Sequence, residues 1–180
     1  MLNQTNNKIK IAVSSCLLGE AVRYDGTDNY IPFIHERLAD EYNLISLCPE
    51  MAVAMGVPRP PIHLLENEGH IQVVGVDDPS CNMTKPLMEY GKKVIETFPD
   101  ICGYIFKKNS PSCGTRNVKV FNSQGVYERR GQGIYVQSIR EQRPLLPLID
   151  EEDFLNNKMR DDFIKKVEKY ADILNSDNGN

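Results

Sequence analysis

Five cysteines, three histidines and 25 carboxylate side chains are the groups in this chain that could hold a metal or take part in covalent chemistry. The thiols are the most informative of them. Cys16 stands in SSCLLG, Cys48 in SLCPE and Cys113 in NSPSCG, each behind an apolar run and beside residues that shape the backbone. Turns of this kind expose a side chain and leave backbone N–H groups free to face an anionic atom. Taken singly, each thiol reads as a small hydrophobe closing a strand, because free cysteine is among the most buried residue types. Their shared position at the ends of three apolar runs reverses that preference.

Coordination chemistry limits what three thiolates could hold. Zinc takes four protein ligands in a structural site, or three and an open position in a catalytic one. Iron–sulfur clusters usually take four cysteines. With three, one iron of a [4Fe–4S] cluster lacks a protein ligand and is open to substrate. The spacing alone does not choose between these, since no CxxC pair or ferredoxin-like run is present. Cys81, in the polar DDPSCNMT, and Cys102, at the start of ICGYIF, read as structural, with Cys81 a weak fourth-thiol candidate. A metal-free thiol enzyme with Cys113 as nucleophile would need an adjacent base, and the few histidines make it the weakest alternative. His35 reads as a helix-packing or solvated residue and His63 as needing no special role.

The elements that must position these thiols follow from the pattern of apolar residues. KIKIAVSSC predicts a first strand ending near Cys16, and LISLCPE a short one stopped by Cys48-Pro49. ICGYIFKK predicts a strand leading into NSPSCG. HIQVVGVD, VKVFN and PLLPLIDE are further strand candidates, and PRPPIHL must be extended because proline excludes the helical region for its predecessor. IPFIHERLADEY, TKPLMEYGKKVIETF (with Thr84 as N-cap), GIYVQSIRE and the segment from Asp153 to about Leu174 predict helices. NSDNGN, 175–180, reads as a frayed tail. Strands alternating with helices predict an α/β fold, a mainly parallel, Rossmann-like sheet with helices on both faces and a C-terminal helix. One domain is expected over 1–180, with its core at about 9–174. Ligands bind at the C-terminal edge of such sheets, and Cys16, Cys48 and Cys113 all fall there, whereas Cys102 falls on the opposite edge.

Composition sets the outer limits. At 180 residues, 41% hydrophobic and 26% charged, the chain can bury a sizeable core. A net charge of -4 argues against a dedicated nucleic-acid binder, although Lys107-Lys108 and Arg129-Arg130 could form local basic patches. No run approaches the roughly 18 apolar residues of a membrane helix, and no signal-peptide pattern opens the chain. A cytoplasmic location is expected, where thiols stay reduced and read as metal-binding or catalytic.

SSCLLGEAVRYDG, the CPE after a short strand, GVPRPPIHL and GYIFKKNSPSCG together resemble the DUF523 family, whose best-understood members are the thiouracil desulfidases. RRGQGIYVQSI and PLIDEEDFLNNKMRDDFIKKVEKY are similar to the branch in which this domain is fused to a second one, DUF1722, and acts on 4-thiouridine in tRNA. The resemblance implies a [4Fe–4S] cluster held by Cys16, Cys48 and Cys113, with an open iron for the thiocarbonyl sulfur of a thiolated pyrimidine. It also implies a catalytic serine at Ser110. The chain ends after its last predicted helix without a second domain, so a small thiopyrimidine or thionucleotide is expected ahead of tRNA.

The remaining site residues follow from that chemistry. Replacement of sulfur by water needs a proton acceptor and a proton donor. Ser110, three residues before Cys113, and Glu50, directly after Cys48-Pro49, are the catalytic candidates. For Glu50, capping the next helical turn is an equal alternative. Tyr24 is a stacking candidate and Asp25 a reader of a ring N–H, with a plain Asp-Gly turn as the competing reading. Arg59, on a stiff proline-rich segment, and Lys107 are candidates for a substrate phosphate. The alternative from another class is a non-enzymatic iron–sulfur or zinc protein in which the metal staples the fold or carries electrons.

Overall fold

The computed structural model describes residues 8–177. β1 (Lys10–Ser14) is followed by a 3-10 turn (Ser15–Leu18), α1 (Pro32–Ala39), β2 (Asn43–Leu47) and the one-turn α2 (Pro49–Ala52). A hairpin of β3 (Ile62–Asn67) and β4 (His70–Gly75) leads into α3 (Thr84–Thr97) and β5 (Ile101–Phe106). Then come β6 (Val118–Phe121), β7 (Tyr127–Gly131), α4 (Ile134–Gln142) and β8 (Leu148–Asp150). α5 (Glu151–Leu155) and the long α6 (Asn157–Asp177) close the order.

The first sheet is four-stranded and wholly parallel, in the order β2-β1-β5-β8. Parallel strands are covered on both faces, so they read as continuous apolar runs rather than as alternation. β5, ICGYIF, is buried at every position. Successive β1 side chains serve opposite faces. Ile11 and Val13 pack with Ile34 of α1, Phe154 of α5, and Phe163 and Val167 of α6. Ala12 packs instead with Val94 of α3 and with Tyr135 and Ile139 of α4. The fold is thus α/β, with a parallel sheet, helices on both of its faces and a C-terminal helix.

Two packing details fix the helical layer over β5. At Gly103 an added Cβ would lie 2.6 Å from Val167 Cγ2 and 3.0 Å from Phe163 Cζ, so only glycine lets α6 lie this close. Phe154 is fully buried, with its ring centroid 6.3 Å from that of Phe33 and 6.0 Å from that of Phe163. Phe154→Ala is expected to cost about 3–5 kcal/mol, from lost contacts plus the cavity left behind. Urea unfolding would read this as a lowered midpoint, and an unmoved midpoint would contradict the packing role.

A second four-stranded sheet, β4-β3-β6-β7, is mixed: β3 pairs parallel to β6, while β3–β4 and β6–β7 are antiparallel. Its inner face carries Leu64, Val73, Val118 and Val120 against Leu87 of α3 and Ile134 of α4. This sheet is the main departure from the sequence-based expectation. β3 lies behind a proline run that signals only extended backbone, and the first four residues of β7 are all exposed, leaving no apolar pattern to read.

Smaller differences have local causes. β1 stops at Ser14, and Cys16 sits in the 3-10 turn after it. Thr84 is not an N-cap but the first residue of α3; its hydroxyl accepts the Val73 N–H (2.9 Å), tying the helix to β4, while Asn82 Oδ1 accepts the Thr84 N–H (3.0 Å). The C-terminal segment is two helices, because Asn156 is extended and its side chain accepts the Met159 N–H (3.2 Å), starting a new helix. Asp150 caps α5 in the same way by accepting the Asp153 N–H (3.0 Å). Of the expected tail, 175–177 continue α6, and 178–180 lie outside the described residues.

Candidate active site

Beyond the C-terminal ends of β1, β2 and β5 the chain encloses a cavity of about 430 Å³. Cys16, Cys48 and Cys113 all line it, one from each strand end, together with Tyr24, Glu50, Arg59, Lys107 and Ser110. Asp25 does not reach its wall. The Asp25 carboxylate accepts the Thr27 N–H (3.1 Å) and hydroxyl (2.6 Å) and lies 3.8 Å from Arg23, so it shapes the turn. The thiols outside the cavity are Cys81, exposed in its loop, and Cys102, which donates to the Asp100 carbonyl (3.4 Å) at the other end of β5.

The turn that presents Cys113 is built around Ser110. Its Oγ accepts the backbone N–H groups of Ser112 (3.1 Å) and Cys113 (3.0 Å), and the Gly114 N–H donates to the Ser110 carbonyl (2.8 Å). A Cβ at position 114 would fall 2.3 Å from Val118 Cγ2 and 2.8 Å from the Ser110 carbonyl, so the turn closes only on glycine. A hydroxyl has two lone pairs and one proton. With both lone pairs engaged by backbone donors, Ser110 is left able to donate a hydrogen bond into the cavity and poorly able to accept one.

Glu50 is 9% exposed in the first turn of α2, and the Cys48 thiol donates to its Oε2 at 3.5 Å. Arg59 is anchored, its guanidinium donating to the carbonyls of Val22 and Gly56 at 2.9 Å each. Lys107 pairs with the buried carboxylate of Glu151, which also accepts the Lys108 N–H (2.6 Å). Tyr24 is half-exposed, with the Arg23 guanidinium 6.0 Å from its ring centroid. Three further residues were not foreseen. Ser14 Oγ accepts the Lys107 N–H (3.1 Å) and a hydrogen bond from it favours the thiolate of Cys113. Ser46 donates to Ser15 Oγ (2.7 Å) and also contacts Glu20, bracing the Cys16 turn from β2. Glu151 holds the Lys107 ammonium and the Lys108 backbone N–H. Of these, only Ser14 stands in a segment that the sequence singles out, SSCLLG.

Burial pushes the Cys16 thiol up to about 11, opposed by Lys107 and reinforced by Glu50. Burial and then the Glu50 charge push Cys48 up to about 12. Cys113 is held well above the ordinary thiol range by burial, then by Glu50, Cys48 and Cys16. Three thiolates and a carboxylate around one cavity would repel one another, and a bound cationic group removes that conflict, since metal binding requires and stabilises the thiolate. Among the described residues no three or more His, Cys, Asp or Glu side chains gather around one point as a cage for a single ion. The donor set, three thiols on the walls of a roomy cavity, suits a larger thiolate-bound group.

The raised thiols have a direct consequence in the metal-free protein. Only the thiolate is nucleophilic, so iodoacetamide is expected to react slowly with Cys16 and Cys48 at about pH 8 and faster as pH rises toward 11 and 12. Exposed Cys81 serves as the internal reference. Uniform labelling of all cysteines at about pH 8, followed by peptide mass analysis, would contradict the burial described.

A family model described as 2-thiouracil desulfurase matches residues 11–152, and the chain belongs to that family. Among curated proteins, the uncharacterized protein YbbK of Bacillus subtilis (strain 168) is 32% identical over 111 residues, spanning 58% of this chain and 73% of YbbK. Among solved structures, the [4Fe–4S]-dependent thiouracil desulfidase TudS, a DUF523 protein, is similar at a TM-score of 0.67 and 26% identity. That match covers 85% of this chain and 97% of TudS.

Proposed function

We propose that this chain is a desulfidase acting on a thiolated pyrimidine. Water replaces the thiocarbonyl sulfur, so the thiocarbonyl and one water become a carbonyl and hydrogen sulfide, with no change in oxidation state. Cys16, Cys48 and Cys113 would hold a [4Fe–4S] cluster. When bound, that cluster supplies an iron without a protein ligand, a soft Lewis acid for the substrate sulfur. The observation that carries this reading is the convergence of three thiols, two of them buried, a buried carboxylate and a donor-only serine on one cavity, in a chain of this family.

The hydrogen bonds support a role for each of these residues. Glu50 takes a proton from the attacking water, and Ser110 donates its hydroxyl proton to a hydrogen bond with the pyrimidine, whose ring nitrogen or exocyclic atom gains electron density as the bond to water forms. Tyr24 offers a ring face for stacking. Arg59, fixed by its two carbonyl contacts, brings a positive charge that suits a phosphate on a thionucleotide, and Lys107 adds a second charge balanced by Glu151. Glu151 and Ser14 position Lys107 rather than touch substrate.

The test is anaerobic reconstitution with iron and sulfide, then incubation with 2-thiouracil, 4-thiouracil and 4-thiouridine monophosphate. Loss of thiocarbonyl absorbance together with released sulfide is the expected result for at least one of them. A stable cluster that turns over none would favour a carrier role, and failure to take up any cluster would sink the proposal.

A further inference from the structure

The second sheet has an outer face that the desulfidase chemistry does not use. Strand alternation opposite Leu64, Val118 and Val120 puts His63 and Leu65 of β3, Lys119 and Phe121 of β6, and Tyr127 and Arg129 of β7 on that face. Register places Leu65, Phe121 and Tyr127 in one row and Lys119 beside Arg129 in the next. The rings of His63, Phe121 and Tyr127 form a chain across three strands, with centroids 5.0 and 5.3 Å apart, and Lys119 Nζ lies 4.3 Å from the Tyr127 centroid.

Charge is arranged in the same sense. Glu66 and Glu128 share Arg130 off this face, at 2.6 Å and 2.9 Å, which leaves one negative charge in that trio. Among the described residues neither Lys119 nor Arg129 is paired with a carboxylate, and the alternating positions of the outer face carry no Asp or Glu. The face also runs into the active site. A groove of about 340 Å³ lined by His63, Lys119, Phe121 and Arg129 shares Ile62, Asn109 and Pro111 with the main cavity, and Arg129 donates to Asn109 Oδ1 (3.4 Å).

Aromatic rings set in a sheet face, interleaved with cations that no carboxylate neutralises, suit stacked bases and a phosphate backbone, whereas a duplex hides its base faces. We infer that this outer face binds single-stranded nucleic acid, holding nucleotides that flank a thiolated base while that base enters the cavity. The inference deepens the desulfidase reading and rests on it for its purpose, but not for its test.

The probe is a fluorescein-labelled twelve-residue oligouridylate without any thio group, titrated by fluorescence anisotropy against the full chain at several salt concentrations. Single-strand binding that weakens with salt is expected, with the same strand in a duplex bound at least roughly tenfold more weakly. Tyr127→Ala should weaken single-strand binding by roughly tenfold, and Arg129→Gln should lower the log–log salt slope by about one. Both positions are exposed, and circular dichroism checks that the variants fold. No binding at low salt, equal binding of duplex, or unchanged affinity in Tyr127→Ala would overturn the inference. So would self-association abolished by Tyr127→Ala in sedimentation, which would make a second copy the occupant. Turnover of free thiouracil is expected to be unchanged in Tyr127→Ala. Binding without any turnover would refute the desulfidase reading alone, and turnover without binding the nucleic-acid face alone.

Discussion

Glu50→Gln is expected to lower kcat on the preferred thiopyrimidine by about 10²–10⁴-fold while leaving iron and sulfide content at the wild-type level. The substitution keeps the size and one hydrogen-bonding oxygen of the side chain and removes only its ability to take a proton. If Glu50 merely favours the start of α2, glutamine should cost at most about 1 kcal/mol of stability and leave turnover nearly intact. A kcat within threefold of wild type would therefore end the assignment of Glu50 as proton acceptor. A second readout needs no turnover. The Glu50 charge and its hydrogen bond to Cys48 both favour the protonated thiol. Removing that charge should move Cys48 alkylation in the metal-free protein to lower pH, because the thiolate is then opposed by one charge fewer.

How far this site could be read from the sequence depended on where its residues stand along the strands. Cys16, Cys48 and Cys113 were legible as a set because each follows an apolar run, and a parallel sheet brings such ends to one edge. Cys102 was correctly separated from them because it begins its strand. Glu50 and Ser110 were legible through their offsets from Cys48 and Cys113. Glu151 was not, since nothing in DEEDF distinguishes the acid that becomes buried against Lys107 from the exposed Glu152 beside it. Asp25 was misplaced by the same limit. Its loop does overhang the cavity at Tyr24, but a two-residue Asx turn consumes the carboxylate, and turn chemistry looks alike whether or not a ligand is near. The second sheet escaped because its strands carry information on one face only. Where that face lies behind prolines or at an exposed edge, alternation is too short to register. The result is that the parallel core and the thiol site were visible, while the aromatic–basic face running into them was not: its rings and cations are spread over the 66 positions from His63 to Arg129.

Cys113→Ser is expected to abolish both cluster uptake and turnover with the fold intact. Of the three cavity thiols, Cys113 has the most fully enclosed setting, 4% exposed and packed with Tyr104, Phe106 and Tyr135. Serine replaces sulfur by a smaller oxygen and keeps the Ser110-centred turn, because the hydrogen bonds that define it run to the backbone N–H groups of Ser112 and Cys113. What it removes is the thiolate. An alcohol does not ionise under conditions where a metal-bound thiol does, so one of three anchors is lost and the remaining two cannot hold a four-iron group. After anaerobic reconstitution, iron should fall from about four per chain to well below one, with far-ultraviolet circular dichroism unchanged. Cys102→Ser supplies the control: it lies at the far end of the same strand, and iron content and turnover should both match wild type. If Cys113→Ser kept its iron and Cys102→Ser lost it, the site would lie on the opposite edge of the sheet. If all three single variants of Cys16, Cys48 and Cys113 kept their iron, no cluster would be anchored in this cavity and the chemistry built on it would fall.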